Sequence, residues 1–257
     1  MRRHGMVRTA IVAETLAAYA AFAAGILVAC FAVTDIHAQT PQPGEAQPPP
    51  KVWLPGEVHA GNTRIYVHVF KAGSLGHEHA VMGRVKEGVI HLGATHDAGH
   101  VDADLTSFVA DVDYARKLLG LPGETDADTQ KKVNDNMLGE EVLNVLRYPT
   151  ARGDITSARL LEQPSANGLP QYLLEGELTL HGVTKKMSVV AEAAEQNGWV
   201  RLRGHVSLKQ SDFGMRPYTA LLGAIGVADQ LELYGEAYIV KEGNLPAPVA
   251  PAGQPQQ

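Results

Sequence analysis

From Gly176 to Ala194 the chain reads GELTLHGVTKKMSVVAEAA, and apolar positions recur at a period of two on both sides of a reversal at His181-Gly182-Val183-Thr184. Leu178 and Leu180 before it, and Met187, Val189 and Ala191 after it, share one face, while Glu177, Thr179, Ser188 and Glu192 take the other. This predicts an antiparallel pair with one dry and one wet side. The same alternation returns near the end, where Leu202, Val206, Leu208, Leu231, Leu233, Ala237 and Ile239 interleave with Arg201, Arg203, His205, Lys209, Glu232 and Glu236. Strands are predicted over 63–71, 80–86, 89–93, 101–107, 151–161, 171–180, 185–194, 200–210 and 229–240. Asn197-Gly198 supplies one hairpin turn, and Asn167-Gly168 with Pro164 and Pro170 a longer one. Sequence neighbours with one oily face favour a closed barrel over a two-layer sandwich, because closure removes exposed edges. The expected fold is all-β: an eight-stranded antiparallel barrel with a short helical insertion. In that insertion Thr125 or Asp126 caps a helix that Gly139 ends, and a shorter turn covers 140–146.

The two ends of the chain do not fit the barrel pattern. Residues 1–38 have a basic start, an uncharged apolar run from Leu16 to Val33 and a small residue at Ala38, the layout of an export signal. Cleavage after Ala38 is the preferred outcome. Lipidation at Cys30 and an uncleaved N-terminal membrane anchor are the alternatives. Residues 39–52 form a Pro-rich linker, 53–241 the barrel domain and 242–257 a disordered Pro-rich tail. The expected location is periplasmic or secreted, with membrane association possible through the N-terminal segment.

Composition narrows the chemistry. The formal charge is −6, and the first 38 residues carry three arginines against two acids, so the body is more acidic still. Such a surface has no electrostatic footprint for nucleic acid. The lone cysteine, Cys30, leaves the domain without a disulfide or a thiolate metal site. Histidines gather in Gly76-His77-Glu78-His79, with His91, His96 and His100 following. His77, His79 and His91 could ligate zinc or copper, giving as an alternative a metal- or haem-binding redox or stress protein. Glycines around His77 favour the plainer reading, histidines in or beside a loop with no metal. Asp102, Asp104, Asp111 and Asp113 lack calcium-loop spacing, and alternation puts Asp102 and Asp104 on a solvated face. Ser74 near His77 has no Gly-x-Ser-x-Gly elbow around it, so no enzyme is expected. Phe108, Phe213, Trp199 and Tyr218 read as core plugs or barrel caps.

Met82-Gly83-Arg84-Val85, Asp104 to Phe108, Asn136-Met137-Leu138-Gly139, Tyr148-Pro149-Thr150-Ala151, the reversal at His181 and Ser211-Asp212-Phe213-Gly214 occur in an order that resembles the YceI-like family of periplasmic polyisoprenoid-binding proteins. The resemblance spans 53–240. It implies a lipocalin-like barrel, export, and an isoprenoid or other long-chain lipid as the bound partner, with no further cofactor. Two features depart from the pattern: the insertion over 114–132 is long, and the Gly76 to His79 element has no matching family role. On this reading the ligand-contacting wall comprises Val67, Val69, Leu105, Leu178, Leu180, Val189, Leu202, Gly204, Val206, Phe213 and Leu233. An eight-stranded barrel is wide enough either to be filled by its own side chains or to hold one slender ligand.

Overall fold

Arg64–Lys71 (β1) pairs antiparallel with His79–Ile90 (β2), which continues to Gly99–Ala110 (β3), Thr150–Leu160 (β4), Gln171–Leu180 (β5), Val183–Gln196 (β6) and Trp199–Lys209 (β7). The short Thr219–Ala220 (β8) pairs only with the long Ile225–Val240 (β9). β9 lies between β7 and β1, and its register with β1 from Arg64↔Glu236 to Val69↔Leu231 closes an eight-stranded antiparallel barrel. The structure is a computed structural model that describes residues 51–241. The predicted export segment with Cys30, nearly all of the linker and the Pro-rich tail lie outside the described residues.

Two predicted strands, 80–86 and 89–93, are one. The chain runs through Glu87-Gly88 without turning, with a register shift against β3 between Val85 and Glu87. A bulge accommodates an extra residue while the ladder continues, so a lone glycine there was a poor stop signal. β3 also extends past the predicted 101–107 at both ends.

Two helices separate β3 from β4: Asp113–Leu118 (α1) and Ala127–Leu138 (α2). The predicted helix is α2. Asp126 is its cap, accepting from the Thr129 N–H at 3.0 Å, and Gly139 follows its last residue. α1 has six residues, too few for a periodic signal. It is held by burial of Ala115 and Arg116.

The interior faces converge on two apolar clusters. Val58, Val85, Ile90, Val200, Leu202 and Ile239 close one end. There Trp199, 2 % exposed, meets Trp53 and His59 edge-on at centroid distances of 5.0 and 5.1 Å. At the other end Val133, Met137 and Leu138 pack against the cluster of Leu105, Phe108 and Leu143. Asn134 accepts from the Ala110 N–H and Gln130 donates to the Ala110 carbonyl, each at 2.8 Å, so α2 is tethered to the end of β3.

Candidate ligand cavity

Inside the barrel, beneath α2, lies a cavity of about 590 Å³ walled by inward residues of β1, β2, β3, β4, β5, β7 and β9 and by Val133, Met137 and Leu143. A second chamber of about 280 Å³ lies deeper, away from α2, but is the more open of the two to the outside, and the two share Ile65, Val101, Gly153, Leu178 and Leu233 as wall. The larger volume is within the roughly 300–1,000 Å³ usual for ligand pockets. The walls of the larger cavity are mostly hydrocarbon, with polar side chains where His77, His79, Lys132, Asn136 and Tyr218 border it, while Asp154, Glu175, Glu177 and His205 edge the second chamber. His77, with its side chain 43 % exposed, and Tyr218, 39 % exposed, mark this end as the mouth.

The predicted wall divides between the chambers. Val67, Val69, Leu105 and Leu180 line the larger one, Val189, Leu202, Gly204 and Val206 the deeper one, and Leu178 and Leu233 both. Phe213 does not line either. It is 1 % exposed, in the apolar cluster with Met215 below a 3-10 turn, so it plugs the barrel wall instead of touching the space inside. Tyr218, expected as a core plug or barrel cap, is no core plug: it stands at the rim of the mouth. Sequence reasoning missed the α2 contribution, because a mostly polar helix with only Val133, Met137 and Leu138 partly buried gives weak periodicity.

Room exists where side chains are missing. Gly153, Gly204 and Gly235 line the deeper chamber, and Gly204 and Gly235 face each other across β7 and β9. A Cβ on Gly235 would meet nothing within 4 Å, whereas one on Gly204 would lie 2.7 Å from Val189 Cγ1.

The proposed histidine triad is also corrected. His79 opens β2 and His91 follows its end, so at about 3.3 Å per residue they stand more than about 30 Å apart along the strand. The residue brought to His77 and His79 is Asp111. Its Oδ2 accepts from His79 Nδ1 at 2.7 Å and lies 3.6 Å from His77 Nε2. Its Oδ1 accepts from Arg116 Nη1 at 2.8 Å and from the Ala80 N–H at 3.1 Å. Burial acts to raise the Asp111 carboxyl, but the hydrogen bond and charge of His79, the Ala80 N–H and Arg116 outweigh it and hold it well below the usual carboxylate range. The group therefore stays ionised in a fully covered position. Asp102 does face outward, yet it is covered by Arg152, whose Nη1 donates to it at 3.0 Å.

A comparison with curated proteins finds no significant sequence match. Among solved structures the chain is similar to a polyisoprenoid binding domain from Saccharophagus degradans implicated in plant cell wall breakdown (11% identity, 73% of this chain and 99% of that one, TM-score 0.46). It is also similar to Burkholderia cenocepacia BcnA (17% identity, 68% and 96%, TM-score 0.42) and to a Campylobacter jejuni YCEI protein (15% identity, 62% and 84%, TM-score 0.41). The family model for the YceI-like domain matches residues 57–237, from the segment that enters the barrel to near the end of β9, and the chain belongs to that family.

Proposed function

We propose that this protein is exported and holds the apolar chain of an isoprenoid-type or other long-chain amphiphilic lipid inside its barrel, binding it without catalysing a reaction. The observation that carries this reading is the mostly hydrocarbon wall of the larger cavity, which adjoins the second chamber on one side and on the other ends at a mouth where polar groups collect. A long tail fits the inside and a head group fits the mouth, where Lys132 and Asn136 offer donors. Each methylene moved from water contributes about 0.8 kcal/mol, so a tail of ten or so carbons offsets the cost of fixing it.

Cargo would enter beside the β8–β9 turn. Leu221 and Leu222 are exposed there, and Leu75, which lines the mouth, donates its N–H to the Ala224 carbonyl. A lipid surface meeting these leucines would bring the mouth to its cargo.

The test is native mass spectrometry of the protein purified from the cell that exports it, followed by denaturing mass spectrometry of whatever dissociates. The expected result is a species of lipid mass. Gly235→Trp should abolish it while leaving a folded barrel, because the new side chain starts in open space and fills the deeper chamber. Bare protein in the parent, or undiminished lipid in folded Gly235→Trp, would sink the reading.

A further inference from the structure

Three potential ligand atoms meet at the cavity mouth. His77 lies in the connection from β1, His79 begins β2, and Asp111 directly follows β3. Their ligand atoms all lie within 4.8 Å of one another. In a tetrahedral site with bonds of about 2.0–2.1 Å, neighbouring donors stand roughly 3.3 Å apart. The observed 2.7 and 3.6 Å from Asp111 Oδ2 bracket that spacing.

The surroundings organise the group as a ligand set. Arg116 and the Ala80 N–H occupy Oδ1, leaving Oδ2 as a single donor directed at both imidazoles. Outer partners of this kind fix the orientation of a ligating carboxylate. Arg116 is itself buried and donates further to the carbonyls of Glu78, Pro122 and Gly123, so through it the carboxylate is anchored to the β1–β2 connection and to the loop between α1 and α2. Asp111 has a left-handed backbone, φ 57°, a conformation that costs about 1 kcal/mol or more and persists where the surroundings impose it. On the open side, His77 Nε2 has Thr125 Oγ1 at a long 3.4 Å, and both histidines border the cavity.

We propose that His77, His79 and Asp111 bind a divalent ion of the zinc class at the mouth of the barrel. Two imidazole nitrogens and one carboxylate oxygen suit such an ion, whereas calcium and magnesium call for more oxygen donors. Three protein ligands leave one position open. Both histidines border the cavity, so an oxygen on the head group of the occupant can take it; this last step rests on the lipid reading, and the metal site does not.

The probe is Zn²⁺ added to the full-length chain, purified without a histidine tag and stripped with chelator, followed by calorimetry. Co²⁺ in place of Zn²⁺ reports coordination through its visible absorption. The expected result is one equivalent per chain with the intense visible bands of a four- or five-coordinate cobalt ion. His77→Ala should weaken binding at least about tenfold, the loss of a ligand exceeding the lower end of what outer partners cost. Its side chain is half exposed, so the fold does not depend on it. His96→Ala, whose side chain is 84 % exposed, should bind as the parent does. No stoichiometric binding by the parent, or parent-like binding by His77→Ala, would overturn the site. Metal without lipid defeats the lipid reading and keeps this one; lipid without metal does the reverse.

Discussion

Tyr148 packs its ring against His181, centroids 4.8 Å apart, so two stretches far apart in sequence form one contact at the end of the barrel. His181 also has Nδ1 3.2 Å from the Phe213 carbonyl, bringing in a third. The turn that makes this possible is two residues long. His181 and Gly182 both have positive φ, 52° and 77°, between the paired Leu180 and Val183, the requirement of a type I′ hairpin. At Gly182 a Cβ would sit 2.8 Å from Tyr148 Cε1.

Gly182→Ala should therefore destabilise the domain by about 1–3 kcal/mol in urea unfolding, from backbone strain plus displacement of Tyr148. Gly168→Ala is the control, since φ is 74° but nothing lies within 4 Å of the new carbon. The difference between the variants isolates the Tyr148 contact; equal losses would show that the ring gives way freely.

What was legible in the sequence follows from this local character. Period-two alternation is written into neighbouring residues, so the inward positions of β5, β6, β7 and β9 could be assigned before any contact was known. The turn at His181-Gly182 declares itself the same way. Asp111 could not be found like this: its burial depends on Arg116 and on a histidine that lies beyond a β1–β2 connection. The histidine triad failed because Gly88 looks like a strand end locally, yet the ladder with β3 carries the chain through it. Phe213 failed for a related reason, because alternation stops at Gln210 and a 3-10 turn redirects the ring into the wall.

Arg116 carries a prediction of its own. The residue is 4 % exposed, and its guanidinium joins Asp111 to the loop between α1 and α2. Removing one partner of a buried pair leaves an uncompensated charge, at a cost of about 3–5 kcal/mol. Arg116→Met should lose about that much in denaturant unfolding and make the loop over 119–124 susceptible to limited proteolysis. A loss below about 1 kcal/mol would mean that Asp111 finds water or another partner.

His59 predicts a pH dependence. Its ring stacks on Trp53 at 4.9 Å and accepts from the Asn62 N–H at Nδ1, 3.1 Å. Burial, aided by Lys51 and Arg64, holds its pKa below the usual 6.5 despite an opposing backbone bond. The folded state thus binds fewer protons than the unfolded chain, and stability falls as pH drops below about 6.5, levelling once the folded histidine also protonates. Urea midpoints measured from pH 8 to pH 5 should show a shallower decline for His59→Phe than for the parent. Parallel curves would remove His59 as the cause.

The last prediction concerns Leu221 and Leu222. Both have positive φ, 49° and 55°, and Leu222 is 109 % exposed, so strain and an unburied apolar surface coincide at one turn beside the mouth. Strain of this kind persists where function or context maintains it. If each leucine enters a bilayer it contributes about 1.5–3 kcal/mol, enough together to hold the mouth at a membrane for exchange but not to anchor the protein there. Replacing both with Ser should leave unfolding stability within about 0.5 kcal/mol, as for surface changes generally, and leave equilibrium lipid content unchanged. Uptake of a fluorescent isoprenoid from phospholipid vesicles should slow at least about tenfold, the equivalent of roughly 1.4 kcal/mol of lost contact. An unchanged uptake rate would place cargo entry elsewhere; reduced lipid content at equilibrium would make the leucines part of the binding site instead of its approach.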